Sequence, residues 1–252
     1  MRKMIWSALL VMAILALVAT VGCKEKVPAT ELEKLMARTS ELDGQALQDT
    51  LRTYMGEGKP SAVYANFILG NWFYSAASDS AAITGWGGEG ANALLDSAET
   101  YMVRSVVLDS TFVEGYVNLG ALWDDRSEQM SSRDVRDQRL AAAEMNYQKA
   151  LEIDPFNEKA RCNLGSLYLR QKKTDQALKE FEGVLDHDPH SALAHYNLAI
   201  MFAEAKIYRE AENEWELASK YDPDGDIGDR SRANIKIVGD LMNATVPDNL
   251  KQ

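Results

Sequence analysis

Three clusters in this chain carry residue types that could do chemistry. Gly85-Trp86-Gly87-Gly88-Glu89-Gly90 fits G-x-G-x-x-G, and an acid, Asp109, stands 19 residues past its end. Glycines so spaced cradle a dinucleotide only when a strand precedes them and a βαβ unit surrounds them. Here residues 75–84, rich in alanine and serine, come before them and follow a helical pattern. The stretch 84–90 reads instead as a loop inserted between two helices, with Trp86 its one large aromatic. Asp222, Asp224, Asp226 and Asp229 suggest a calcium loop. An EF-hand would need a glycine directly after the third acid and a glutamate six residues further on. Ile227 and Ala233 stand there, so this reads as a helix start with Asp229 as a cap. All three histidines, His187, His190 and His195, fall within nine residues. Zinc would need further ligands, and neither a Cys pair nor H-E-x-x-H accompanies them. No nucleophile–base pairing has a signature here. The expectation is no enzyme, no cofactor and no metal.

The elements that would position any site follow from a 34-residue period between residues 158 and 223. Shifted by 34, Leu164-Gly165 falls on Leu198-Ala199, Tyr168 on Phe202, Ala177 on Ala211 and Phe181 on Trp215. Val184 falls on Ala218 and Asp188-Pro189 on Asp222-Pro223. Within one unit, Leu164, Leu167 and Tyr168 mark a first helix and Ala177, Leu178, Phe181, Val184 and Leu185 a second. Gly165 and Ala177 would let the two backbones approach, with the rings of Tyr168 and Phe181 alongside. Pro189 and Pro223 stop the second helices. Such a pair cannot bury its apolar faces alone, so neighbours must stack. Upstream, Ile153-Asp154-Pro155 repeats the turn, but the matching Leu119-Gly120 lies 45 residues ahead of Leu164-Gly165. The 11 extra residues fall within 124–138, rich in charge and serine, between the two helices. A first unit has Leu69-Gly70 and Phe73 on one helix and Ala98, Met102 and Ser105 on the other.

This period and spine resemble the tetratricopeptide repeat family. The resemblance covers about residues 63–223 and implies an all-α fold, a right-handed α-solenoid. Its four helix–turn–helix units fall at about 63–110, 113–155, 158–189 and 192–223, an array over 62–223. Residues 30–56 read as N-terminal capping helices and 227–243 as a C-terminal cap with Ile235, Val238, Leu241 and Met242 on one face. Residues 244–252 read as a tail.

The start of the chain has a different character. Arg2 and Lys3 precede an apolar run over 4–22, then Cys23, the pattern of a secretory signal. Thr20-Val21-Gly22-Cys23 resembles the bacterial lipobox, with Thr20 where leucine is commoner. That resemblance implies a signal peptide over 1–22, lipidation of Cys23, and a tether over 23–29. Lys24 after the cysteine implies sorting to the outer membrane, facing the periplasm. An uncleaved transmembrane anchor is the other reading of the run. Removing 1–22 takes away two positive charges and no negative ones, moving the formal charge from −11 to −13. An acidic chain argues against nucleic acid and against a polybasic grip on lipid. Lipidation would leave Cys162 as the remaining thiol, so no internal disulfide is expected.

One constellation bears on function. Asn118, Asn163 and Asn197 each directly precede the leucine of a repeat spine. In tetratricopeptide domains this asparagine faces, or lies near, the concave groove, where in some members it bonds an extended peptide or a terminal carboxylate. It is also what the repeat consensus contains, so a structural use stays open. Tyr196 neighbours the row, and Lys159 and Arg170 are the cations placed near it, against Glu114, Asp124 and Glu204. The resemblance thus implies a membrane-tethered envelope scaffold that binds a partner protein. The rival is a small-ligand-binding accessory subunit of a transporter or envelope enzyme. It would use Tyr64, Phe67, Trp72, Tyr74 and Trp86 as its pocket.

Overall fold

The structure is a computed structural model, and it describes residues 30–84, 89–128 and 132–245. The apolar run, Cys23, the tether, Trp86 and residues 246–252 of the tail lie outside these. Among the described residues there are eleven α-helices and no strand. None of these helices is long and apolar enough to cross a membrane. By internal contacts the chain divides into two compact units, 1–122 and 123–252.

In the first unit, α1 (Glu31–Thr39) starts at a capping box. Thr30 Oγ1 accepts from the Glu33 N–H, and Glu33 accepts from the Thr30 N–H, so two otherwise orphaned donors are satisfied. Leu35 of α1 and Leu47 and Leu51 of α2 (Gly44–Met55) bury against Ala65 and Leu69 of α3 (Ser61–Thr84). Helices α3 and α4 (Glu89–Leu108) form one long hairpin. Here a glycine does let backbones approach: a Cβ at Gly70 would meet the Met102 side chain and backbone and the Ala98 carbonyl.

In the interrupted first unit, helix reaches into the stretch 84–90 from both sides, and residues 85–88 lie outside the described residues. Residues 75–84 are the last turns of α3, and α4 begins at Glu89, so the insertion lengthens both helices. Alanine is the strongest helix former, and Ala77, Ala81, Ala91 and Ala98 all bury in this hairpin. A helix therefore precedes the glycine motif where the dinucleotide reading needs a strand. Residues 124–138 behave alike: α5 (Val113–Glu128) runs into them and α6 (Arg133–Ile153) starts within them.

In the second unit, α7 (Glu158–Arg170) pairs with α8 (Thr174–Leu185), and α9 (Ala192–Glu204) with α10 (Tyr208–Tyr221). Successive pairs stack through α7 on α6 and through α9 on both α7 and α8. The core joins Tyr147 and Ala143 of α6, Leu164, Leu167 and Tyr168 of α7, Ala177 and Phe181 of α8, and Leu198 and Met201 of α9. At Gly165 the nearest neighbour is a side chain of the second helix. A Cβ there would run into the Phe181 ring, so the missing side chain is a seat for that ring. A fully buried aromatic of this size stabilises by about 1.5–3 kcal/mol.

Helix α11 (Asp226–Thr245) packs on α10 and α9. Its cap is Asp222 rather than Asp229. The Asp222 Oδ2 accepts from the N–H groups of Ile227 and Gly228 at 3.0 and 3.2 Å, whereas Asp229 pairs with Arg232. A Cβ at Gly225 would strike that carboxylate, which is why the turn needs glycine. On α11, Val238 is buried and Ile235 and Met242 pack beside it, but Leu241 is exposed along with Ile237. Leu241 thus lies off the face assigned to it.

Candidate functional site

The candidate residues sit on first helices, and their surroundings differ sharply. In the first unit, Asn118 of α5 donates through its amide to Asn71 Oδ1 of α3 at 2.8 Å. In the second unit, Asn197 of α9 is spent inside the fold. Its amide donates to the Leu193 carbonyl at 3.0 Å, and its oxygen accepts from the Ser166 hydroxyl of α7 at 3.3 Å. Asn197 also reaches Cys162. Burial pushes that thiol up to about 12, with Glu158 adding to the rise and the Asn197 hydrogen bond opposing it. Cys162 is therefore a neutral packed group against Val184 and Ala194, and a poor nucleophile.

Tyr196 is a core residue. It buries with Ala199, Trp215 and Val238, its hydroxyl accepts from Asn234 at 3.4 Å, and Arg230 lies over its ring at 4.8 Å. Arg170 is paired with Asp124, a buried carboxylate near the end of α5. Burial lowers the Arg170 pKa, yet a guanidinium stays charged in any protein. Its partner Asp124 is a residue the sequence placed only as an opposing charge. Nothing in spacing marks a pair 46 positions apart.

Asn163 and Lys159 stand apart from these four. They lie four residues apart on α7 and so on one face. Asn163 is half-buried and Lys159 exposed, and neither has a hydrogen-bond or ion-pair partner among the described residues. They present an amide with both donor and acceptor free beside a flexible ammonium. That combination suits the backbone and a carboxylate of an extended chain.

The other chemistry-bearing residues have structural uses. Of the aromatics of the ligand reading, Tyr64, Phe67 and Trp72 belong to packed clusters, while Trp86 lies outside the described residues. Tyr64 and Phe67 pack edge-on to Phe112, while Trp72 packs on Phe73, which stacks on Tyr101. Among the described residues, no three His, Cys, Asp or Glu side chains are arranged to hold a metal ion. His187 stacks on Phe156 at 4.4 Å and His190 packs edge-on to Tyr221 at 4.8 Å. His195 is buried, with both ring nitrogens engaged. An open crevice of about 400 Å³ between α6, α7 and α8 has Leu151, Leu164 and Tyr168 in its wall. The Arg161–Glu180 pair also lines it.

Residues 162–226 match the family model described as Tetratricopeptide repeat. No curated protein matches the chain in sequence. Among solved structures, TTC0263, a thermophilic TPR protein in Thermus thermophilus, superposes with a TM-score of 0.62. Its identity is 16%, over 81% of this chain and 95% of that one. A MamA protein superposes with a TM-score of 0.50 at 17% identity, over 76% of this chain and 90% of its own. At such identities the likeness is one of fold. Residues 162–226 are thus a tetratricopeptide repeat segment, set in a chain whose all-α fold of stacked helical hairpins is shared with solved tetratricopeptide proteins.

Proposed function

We propose that this chain is a protein-interaction scaffold that takes a segment of a partner protein along the first helices of its repeats. The observation that carries this reading is the unspent pair on α7, Asn163 and Lys159. The Asn163 amide makes no side-chain hydrogen bond among the described residues, so its donor and acceptor are available to an incoming peptide without breaking an internal bond. Of the other candidates, Asn118, Asn197, Tyr196 and Arg170 shape the surface through their internal bonds. The scaffold is tethered to the cell envelope: residues 1–22 are its signal peptide, Cys23 bears the lipid, and the outer membrane facing the periplasm is its site. The supports are the basic head, apolar run and cysteine order, and the proposed work is assembly of an envelope complex.

A photo-crosslinking residue at position 163 tests the binding face, with the exposed position 176 on α8 as its control. The reading expects one dominant adduct from 163 that Lys159→Ala weakens. Equal labelling from both positions would refute it. Cys23→Ser tests the tether: the variant should leave membranes, and its retention would mean that the apolar run itself is the anchor.

A further inference from the structure

Two successive repeats hold the same cationic clamp, built from different residues. Arg161 of α7 donates through Nε to the Pro155 carbonyl and through Nη1 to Glu180 Oε2, each at 2.9 Å. Thirty-four residues on, every member has its counterpart: His195 for Arg161, Pro189 for Pro155 and Glu214 for Glu180. His195 Nδ1 lies 2.6 Å from Glu214 Oε2, and Nε2 lies 3.2 Å from the Pro189 carbonyl oxygen. In both repeats the side chain ties the proline turn leading into the first helix to the second helix of the same pair. Arg161 has room for this because Gly183 stands opposite its guanidinium.

Both partners of the imidazole are pure acceptors. A neutral ring has one N–H and satisfies one of them, whereas the imidazolium satisfies both. A guanidinium faces no such choice. We propose that His195 makes the α9–α10 repeat a pH-sensitive element, clamped while the ring carries two protons and released when it loses one. Arg161 keeps the α7–α8 repeat clamped throughout.

The groups facing His195 come from each element packed around it. Helix α10 contributes Glu214, and the turn before α9 contributes Asp188, with His190 Nδ1 4.0 Å from the Asp188 carboxylate. Ser191 at the start of α9 donates to Glu158 of α7. At the end of α10 the Tyr221 ring lies 5.5 Å from His195, with Lys220 over that ring at 5.4 Å. Acids dominate this set. Burial alone would lower the His195 pKa. The hydrogen bonds to Glu214 and to the Pro189 carbonyl, with the charges of Glu214 and Asp188, outweigh burial and raise it above the ordinary 6.5. A histidine raised in the folded state contributes stability that is complete below its unfolded pKa and lost as pH rises through the folded one. Release therefore comes as pH rises through a folded-state pKa that lies above 6.5.

The test is a side-chain NMR titration of the three histidines in the full chain, with His195→Gln assigning the resonance. Melting curves of wild type, His195→Arg and Arg161→His between about pH 5.5 and 9 accompany it. His195 should titrate above 6.5, and the wild-type Tm should fall across that titration. His195→Arg should flatten the fall and Arg161→His should deepen it. Titration of His195 at or below its ordinary value, or parallel melting of wild type and His195→Arg at every pH, would overturn the proposal. Should His195→Arg fail to fold, the wild-type titration decides alone.

Discussion

The repeats at 158–189 and 192–223 share their backbone devices almost residue for residue, and part company in the side chains that fill them. Asn157 and Ser191, 34 apart, each cap a first helix by accepting from the N–H of Ala160 and Ala194. Both first helices end with a lysine in the left-handed region, Lys172 and Lys206, each at φ 62°. The closing bonds match as well: Lys173 N–H to the Tyr168 carbonyl and Ile207 N–H to the Phe202 carbonyl, each 2.9 Å. Against this, Gly165 with Phe181 becomes Ala199 with Trp215, and Arg161 becomes His195. Asn163 is unspent while Asn197 is held by α7. The geometry that stacks one hairpin on the next depends on caps and turns. The filling side chains are free to drift, and there the two units acquire different behaviour.

The largest effect that would probe this contrast is loss of a central ring. Phe181→Ala should destabilise by about 3–5 kcal/mol in urea unfolding, and Trp215→Ala by a similar amount, since both side chains are buried. A smaller and more telling change is Gly165→Ala. It should cost roughly 1–3 kcal/mol, because its methyl meets the Phe181 ring. In a Phe181→Ala background the same change should turn favourable by about 1 kcal/mol, as alanine outranks glycine within a helix. Equal effects in both backgrounds would mean that Gly165 is not the seat of the ring. Smallest are Lys172→Gly and Lys206→Gly. Each should stabilise by about 1 kcal/mol, because a left-handed position penalises a Cβ. Unequal responses would show that the two turns differ more than their geometry.

Much of this was legible in the chain, for a physical reason. A spine of small and large residues at 34-residue spacing reflects interlocking that no other packing satisfies, so Leu164, Tyr168, Ala177 and Phe181 announce their helices. Local signals misled where they competed with propensity. The stretch 124–138 read as lying between two helices, yet α5 runs to Glu128 and α6 starts at Arg133, where its charged residues sustain helix. The Asp222 cap was hidden because a cap depends on where the turn folds back, and several aspartates compete there. The site was legible only as a row of asparagines. That Asn163 is open while Asn197 is engaged across helices depends on Ser166 of α7, a partner set by stacking rather than by spacing. The clamp's 34-residue register was present in the letters. Its meaning needed the distances, since neither proline carbonyl belongs to any motif.

Double-mutant cycles on the two clamps, each run near pH 6 and near pH 9, test the central claim most directly. With alanine at Arg161 and Glu180, the coupling should be on the order of 1 kcal/mol and the same at both pH values. With alanine at His195 and Glu214, it should be of similar size near pH 6 and clearly smaller near pH 9, where the neutral ring loses its charge and one of its two hydrogen bonds. Couplings that keep the same value at both pH values in both repeats would contradict the account.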